Sequence, residues 1–173
     1  MRPGQLTKDE VKSIEVGSYF SEEFRGESVP YLDEVLEDYK GRMKFNIELK
    51  PYGEDPEKLA RKVVKLIYEY EFEQQCLITS LNEEALKQVM VMAPELEVGF
   101  ITPFIRGSLA LLPKYDAICI EVGFVNPKLV AQAQVRGQAI HVWTVNRQEA
   151  MDRLLLMGVD HIITDETAVA VSR

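Results

Sequence analysis

The residues with the clearest chemical potential are Glu48 and Lys50, which alternate with apolar side chains in the segment FNIELK at residues 45–50. Side chains of a β-strand point alternately to opposite faces, so Asn46, Glu48 and Lys50 share one face of this predicted strand. A glutamate and a lysine that face a covered interior are costly unless they are paired, hydrated or bound to a metal. The pattern leaves two interpretations open: an active-site pair at the carboxyl end of a buried strand, or a salt bridge on an exposed edge strand.

Other candidate residues also lie at or near the ends of apolar segments. Glu121 ends one such segment, and Trp143 lies near the end of another, where it fits either the core or the apolar wall of a pocket. Ser80 ends a third, and we expect it to cap or line rather than to act as a nucleophile, because no base partner is evident. His141 and His161 lie within predicted strands, where a lone histidine is usually a core residue, so we assign neither a catalytic role.

Short apolar segments alternate with amphipathic segments along the chain. Strands are predicted at residues 45–50, 76–80, 98–101, 117–121, 139–144 and 161–164. Nearly continuous apolar segments such as AICI are typical of parallel strands that are buried on both faces. The alternation predicts an α/β fold, and both an open sheet and a barrel fit it. No glycine-rich phosphate loop follows an early strand, which weakens a nucleotide-binding function.

Capping residues mark where the predicted helices begin. A side-chain acceptor that is followed by a proline, or by a glutamate three residues later, satisfies free amide groups of the first helical turn. These signals are Thr7 with Glu10, Asp55 before Pro56, Asn82, Asn126 before Pro127, and Asn146 with Glu149. Gly137 and Gly158 follow two predicted helix ends, where a left-handed backbone is favoured.

The composition excludes several classes of partner. The chain of 173 residues is 46% hydrophobic and has a formal net charge of -8, with no local basic patch, so nucleic acid is not an expected partner. Cys76 and Cys119 lie in apolar segments and are expected to be buried thiols in a reducing compartment. No segment has the roughly 18 apolar residues of a membrane span, and no signal peptide is evident. We expect a cytoplasmic protein, or one that reaches a membrane through a segment absent from this chain.

Two pairs of motifs resemble those of the glycerophosphodiester phosphodiesterase family. Residues 29–37 (VPYLDEVLE) and 45–50 (FNIELK) resemble the family's helix "iPtLeEvL" and strand "nIEiK". Residues 142–146 (VWTVN) and 158–165 (GVDHIITD) resemble its ending "vWTVN…GVDgIiTD". The segment that starts at Ser80 resembles the strand end "SF" between them. Order and spacing agree over nearly the whole chain, and the motifs are more specific together than singly.

The resemblance implies an incomplete TIM-type (β/α)₈ barrel of about six parallel strands with alternating helices. Family members hydrolyse glycerophosphodiesters to sn-glycerol 3-phosphate and an alcohol, with a divalent metal such as Mg²⁺ or Ca²⁺. By position, Glu48 resembles the family's metal-ligand glutamate and Lys50 the lysine that contacts the phosphate. Trp143 resembles the aromatic wall near the glycerol, and Glu121 is a further candidate for substrate binding. A carboxylate suits a hard cation, and a lysine stabilises charge on phosphoryl oxygens.

The chain departs from the family in lacking its His-Arg-Gly, Glu-x-Asp and His-Asp motifs, which supply the catalytic histidines and the other metal ligands. We therefore expect residues 1–173 to be one domain of this family, truncated at its N-terminal side. With Glu48 alone, the chain is expected to hold a divalent metal weakly or not at all, and to be inactive in isolation. Open parallel edges predict a homo-oligomer or pairing with a missing N-terminal segment. The alternative is a non-catalytic barrel remnant that oligomerises or binds a phosphate-containing small molecule.

Overall fold

The computed structural model describes residues 6–53 and 55–171, and it contains one parallel sheet of six strands. The strands are β1 (Phe45–Glu48), β2 (Cys76–Ser80), β3 (Glu97–Thr102), β4 (Ala117–Glu121), β5 (Ala139–Trp143) and β6 (His161–Ile162). Each strand pairs in parallel with the next strand along the chain. An open doubly wound sheet would reverse its strand order at a switch point. The unreversed order instead gives a half-barrel, which confirms the predicted incomplete barrel.

Helices alternate with the strands, as the sequence predicts. They are α1 (Lys8–Lys12), α2 (Leu32–Tyr39), α3 (Pro56–Glu69), α4 (Glu83–Met92), α5 (Pro127–Arg136), α6 (Gln148–Leu156) and α7 (Thr167–Val171). The connection between β3 and β4 carries a short 3-10 helix at Leu109–Leu111. None of the helices in the described part of the chain is long and apolar enough to cross a membrane.

Most of the predicted helix starts are confirmed. Side-chain oxygens of Thr7, Asp55, Asn82 and Asn126 accept hydrogen bonds from first-turn amides of α1, α3, α4 and α5. Gly137 ends α5 with a left-handed backbone at φ 65°, as predicted.

The predicted start of α6 at Asn146 is wrong. The helix begins after Arg147, whose side chain makes no capping hydrogen bond. The Asn146 Oδ1 atom instead accepts hydrogen bonds from the Thr164 Oγ1 and the Asp165 backbone N, both at 3.0 Å. The asparagine therefore links the end of β5 to the segment after β6. This contact is long-range, so a local capping pattern could not predict it.

The convex face of the sheet packs under the helices and forms the core. Ile78, Ile118 and Ile140 come from three different strands and are each at most 1% exposed. They belong to one cluster with Ile67 of α3 and Leu86 of α4. Burial of each such side chain contributes roughly 1.5–3 kcal/mol, so this face carries the main stabilisation of the fold.

The concave face and the two lateral edges of the sheet are less covered. In the described ranges, β1 and β6 each pair with a neighbouring strand on one side only. Asn46, Glu48 and Ile163 on the concave face are exposed, whereas Cys119 between them is 1% exposed. Both cysteines are buried free thiols, as predicted. Polar side chains on this face are tolerated because water reaches them.

Candidate active site

A cavity of about 400 Å³ lies at the carboxyl end of the concave face. Its lining comes from β1, β3, β4 and β5 and from the residues that follow β1, β2 and β6. The lining residues are Asn46, Glu48, Lys50, Tyr52, Leu81, Ile101, Cys119, Trp143 and Ile163. Because one cavity collects side chains from across the sheet, Glu48 and Lys50 project together into the mouth of the half-barrel. In parallel α/β folds, this end of the sheet is where active sites form.

Glu48 and Lys50 form an ion pair in this mouth. The Lys50 Nζ lies 3.0 Å from the Glu48 Oε2, and the two side chains are 48% and 32% exposed, respectively. Hydrogen bonding to the Glu48 carboxylate, together with its charge, raises the pKa of Lys50 above its ordinary value. Both interpretations of the sequence therefore hold in part. The two residues form a salt bridge on an edge strand, and the pair lies at the carboxyl end of the concave face.

The backbone between these two side chains is held by β2. The Leu49 N donates to the Thr79 O at 2.7 Å, and the Leu49 O accepts from the Ser80 Oγ at 2.7 Å. The Leu49 side chain is 2% exposed and packs into the core. Of the capping and lining roles that the sequence favoured over a nucleophilic one, Ser80 has the capping role, because its hydroxyl bonds to the Leu49 O and to the Asn82 N. On the concave face, the Thr79 Oγ1 donates to the Asn46 Oδ1 at 2.7 Å.

Trp143 forms part of the cavity wall. It is the last residue of β5, its backbone pairs with Glu121 of β4, and its side chain is half-buried. Its indole Nε1 is buried and has no hydrogen-bond partner within the described structure. The structure therefore places a broad apolar surface on the same cavity as Glu48 and Lys50.

Glu121 is not among the residues that line this cavity. One carboxylate oxygen accepts a hydrogen bond from the Gly123 N at 2.8 Å, which caps the short 3-10 helix Val122–Phe124. The structure thus brings Glu48, Lys50 and Trp143 together around one cavity, and directs the Glu121 carboxylate to its own turn.

The two histidines lie away from this mouth. His141 and His161 are paired residues of β5 and β6, their ring centroids are 4.3 Å apart, and both line a second cavity at the amino end of the concave face. Burial, with a smaller contribution from the neighbouring His161, lowers the pKa of His141 to about 4. His141 is therefore neutral at pH 7, and neither ring reaches the lining of the candidate site.

A divalent cation would find only part of a site here. Among the residues that the structure describes, no three His, Cys, Asp or Glu side chains are grouped so that they could hold a metal ion. Glu48 supplies one hard oxygen ligand, and its charge is already matched by Lys50 at 3.0 Å. Hard cations take about six or more oxygen ligands, so the described residues do not fit a complete metal site by themselves.

Several lining residues were missed by sequence reasoning. Tyr52 and Leu81 lie just beyond strand ends, in segments without a periodic pattern. Ile101 and Ile163 look like ordinary core residues in the sequence. A signal did exist for these two, because residues at alternate positions of neighbouring parallel strands share a face. Applying the alternation to every predicted strand would have placed them on the concave side.

The comparison with protein families settles the relationship. A model described as the glycerophosphoryl diester phosphodiesterase family matches residues 3–169. The chain belongs to this family. A relative named glycerophosphodiester phosphodiesterase, from Caldanaerobacter subterraneus, is 34% identical over 177 residues, covering 96% of this chain and 70% of the relative.

Solved structures agree with this assignment. The glycerophosphodiester phosphodiesterase of Agrobacterium tumefaciens superimposes with a TM-score of 0.80 at 26% identity, covering 97% of this chain and 73% of its own. An Oleispira antarctica phosphodiesterase, solved with its product sn-glycerol-3-phosphate, gives a TM-score of 0.88 at 22% identity, covering 98% and 72%. The second likeness supports the fold alone, and both confirm the barrel-type architecture.

Proposed function

We propose that this chain supplies the phosphate-binding and glycerol-facing part of a glycerophosphodiester phosphodiesterase site. The reaction is hydrolysis of a glycerophosphodiester to sn-glycerol 3-phosphate and an alcohol. The observation that carries the proposal is the shared cavity of Glu48, Lys50 and Trp143 at the carboxyl end of a parallel half-barrel. Membership of the family supports the proposal that this cavity takes part in hydrolysis of a glycerophosphodiester.

Lys50 is the proposed phosphate ligand. Its ammonium group is about half exposed and lies at the cavity mouth, so an incoming phosphoryl oxygen can reach it without disturbing the core. A charge-assisted hydrogen bond from the lysine would stabilise negative charge on that oxygen. The group is protonated at neutral pH, as an ordinary lysine is, and the Glu48 carboxylate raises its pKa further.

Trp143 is the proposed wall for the glycerol moiety. The indole face would pack against the carbon backbone of the glycerol. Glu121 lies beside Trp143 in the sheet, and its capping bond to Gly123 makes it a support for the loop after β4 in this structure. The second carboxylate oxygen of Glu121 could accept a hydrogen bond from a substrate hydroxyl while the bond to Gly123 is kept.

A divalent metal is part of the chemistry that this family generally uses. Glu48 is the proposed ligand from this chain, because a carboxylate suits a hard cation such as Mg²⁺ or Ca²⁺. When bound, such a cation would stabilise charge on the phosphoryl oxygens. Further ligands must come from outside the described residues.

The isolated chain is proposed to bind but not to turn over. The family's His-Arg-Gly, Glu-x-Asp and His-Asp motifs are absent from this sequence, and His141 and His161 lie at the opposite end of the concave face. Proton transfer to the leaving alcohol needs an acid within hydrogen-bonding reach. A segment that carries these motifs would also cover the open concave face and pair with β1 or β6.

Complementation tests this function. We would mix the chain with a family N-terminal segment that carries those motifs and measure hydrolysis of glycerophosphocholine with Mg²⁺ or Ca²⁺. The chain alone should be inactive, and the mixture should release choline. Glu48→Gln and Lys50→Met should each reduce that rate by about 10²-fold or more, because each removes a charge that contacts the phosphoryl group or its metal.

Matched surface variants make the comparison specific. Glu149→Gln and Lys128→Met remove equivalent charges from positions outside the cavity lining and should leave the rate unchanged. No rescue by any family segment would contradict the proposal, as would equal losses in the surface variants.

A non-catalytic assembly is the second candidate, and the one-sided pairing of β1 and β6 within the described ranges favours it. Exposed parallel edges can associate with another copy of the chain. This function predicts a stable oligomer by light scattering and no rescue by complementation. A monodisperse monomer would remove its main support.

A further inference from the structure

Ser80 occupies a fully buried position next to the segment that joins Glu48 to Lys50. It is the last residue of β2 and is 0% exposed. Its hydroxyl donates to the Leu49 O at 2.7 Å and accepts from the Asn82 N at 2.9 Å. One side chain therefore links the end of β1 to the turn that opens α4, through its donor and one acceptor position.

Leu49 is fixed by three contacts, of which Ser80 provides one. The Leu49 N donates to the Thr79 O, the Leu49 O accepts from Ser80, and the Leu49 side chain is buried in the core. Since Leu49 points outward into the helix layer, the residues on either side of it must point inward. The 3.0 Å contact between the Glu48 and Lys50 side chains forms across this fixed residue.

The Ser80 bond acts at the point where regular sheet pairing stops. The register of β1 with β2 runs from Phe45 with Cys76 to Glu48 with Thr79. The Leu49 carbonyl lies beyond that last pair, and the serine side chain takes the place of a backbone donor there. Without it, both the Leu49 O and the Asn82 N would lose the side-chain partner they have, which is unfavourable for a polar group that is shielded from water.

We infer that Ser80 is a positioning residue, whose hydroxyl sets the direction in which Glu48 and Lys50 project into the cavity. Ser80 is not among the residues that line the cavity, and its hydroxyl acts through the Leu49 carbonyl. Its consequence for phosphate binding rests on the proposed function of Lys50, whereas its effect on the geometry of the pair does not.

Crystal structures of variants test the geometric part. In Ser80→Ala the Leu49 carbonyl should turn to a new donor, and the Glu48 and Lys50 side chains should no longer be within hydrogen-bonding distance of each other. Ser80→Thr keeps the hydroxyl and should keep the pair, with some loss of stability from the extra methyl group. Ser108→Ala is the control, because Ser108 caps a short 3-10 helix through the Ala110 N outside the cavity lining. An unchanged pair in Ser80→Ala would overturn the inference.

Ligand binding provides a test that a purely structural role would not satisfy. The dissociation constant for sn-glycerol 3-phosphate would be measured on the full chain, at a temperature where every variant is folded. Lys50→Met should raise it about tenfold or more, since a charged hydrogen bond is lost. Ser80→Ala should raise it as well, and the double variant should be no weaker than Lys50→Met alone. If the losses of affinity in Ser80→Ala and Lys50→Met added in the double variant, Ser80 would not act on binding through Lys50.

The outcomes separate this inference from the proposed function. Absence of binding by the unmodified chain would count against the proposed function, and the crystal structures would still decide the role of Ser80. Should Ser80→Ala fail to fold, Ser80→Cys offers a side chain of similar size with a weaker donor. That variant should loosen the pair, and an unchanged pair would again overturn the inference.

Discussion

The two faces of the six-stranded sheet differ in how far their side chains are exposed to solvent. On the convex face, Ile118 and Ile140 are at most 1% exposed and pack under helices. On the concave face, Glu48 is 32% exposed and Trp143 is only half-buried. The side chains of both faces alternate along one backbone, so the difference comes from what covers each face. The chain's own helices cover the convex face. The concave face is less covered, and water reaches its polar side chains, such as Glu48.

The largest effect expected from this difference is on stability. Ile118→Ala removes a fully buried side chain from the convex face and should lower the free energy of unfolding by about 2–5 kcal/mol. Ile163→Ala on the concave face should cost only about 1–2 kcal/mol, because Ile163 is already 36% exposed. Urea denaturation of both variants measures the difference. Equal losses would show that the concave face is covered in solution.

A pH dependence follows from His141, which lies on the concave face but is largely buried. Its pKa is lowered from 6.5 to about 4, so the unfolded chain binds a proton at a higher pH than the folded chain does. The stabilisation by neutral His141 is complete above about pH 6.5 and is lost as the pH falls to 4, by up to about 3 kcal/mol. Urea unfolding across this range should show the fall, and His141→Gln should flatten it. A free energy of unfolding that does not change with pH in the unmodified chain would mean that His141 is exposed to solvent and that its pKa is not lowered.

Asn146 and Asn126 allow a comparison of two roles for one residue type. Asn146 ties β5 to the segment after β6, whereas Asn126 caps α5. Asn126→Ala should cost about 1 kcal/mol, as for other helix caps. Asn146→Ala should cost a similar amount and should also speed amide exchange at Asp165, which donates to it. Unchanged exchange at Asp165 would contradict the tie.

The smallest effect on stability is expected at the candidate site itself. Lys50→Met breaks an ion pair whose lysine is 48% exposed, and such pairs contribute about 0–1 kcal/mol. The melting temperature should therefore hardly change, while the dissociation constant for sn-glycerol 3-phosphate should rise about tenfold or more. A large fall in melting temperature would mean that Lys50 serves the fold rather than the ligand.

The convex half of the fold could be predicted closely from the sequence. Strands 76–80 and 117–121 begin and end where they were expected, because continuous apolar segments define them. The first and last strands are shorter than predicted. Regular pairing ends at Glu48 in β1 and at Ile162 in β6, although the Leu49 N still donates to the Thr79 O and the Ile163 N to the Val142 O beyond those ends. Where pairing stops depends on the neighbouring strand, so the local sequence pattern of one strand does not predict its exact end.

The site was predictable to the extent that it depends on alternation along a strand. Glu48, Lys50 and Trp143 line one cavity as their positions near strand ends suggested. The local cap that Glu121 forms with Gly123 and the tie made by Asn146 were not foreseen. In each case a short polar side chain had several partners within reach, and only the folded backbone decides among them.

A titration with sn-glycerol 3-phosphate, followed in the backbone amide and indole NMR spectrum, tests the central claim most directly. The account predicts shifts at Lys50, Tyr52 and Leu81 and at the indole of Trp143, and in Lys50→Met these shifts should require about tenfold or more higher ligand concentration. Shifts centred on His141 and His161 at the opposite end of the concave face, or no shifts at all, would contradict it.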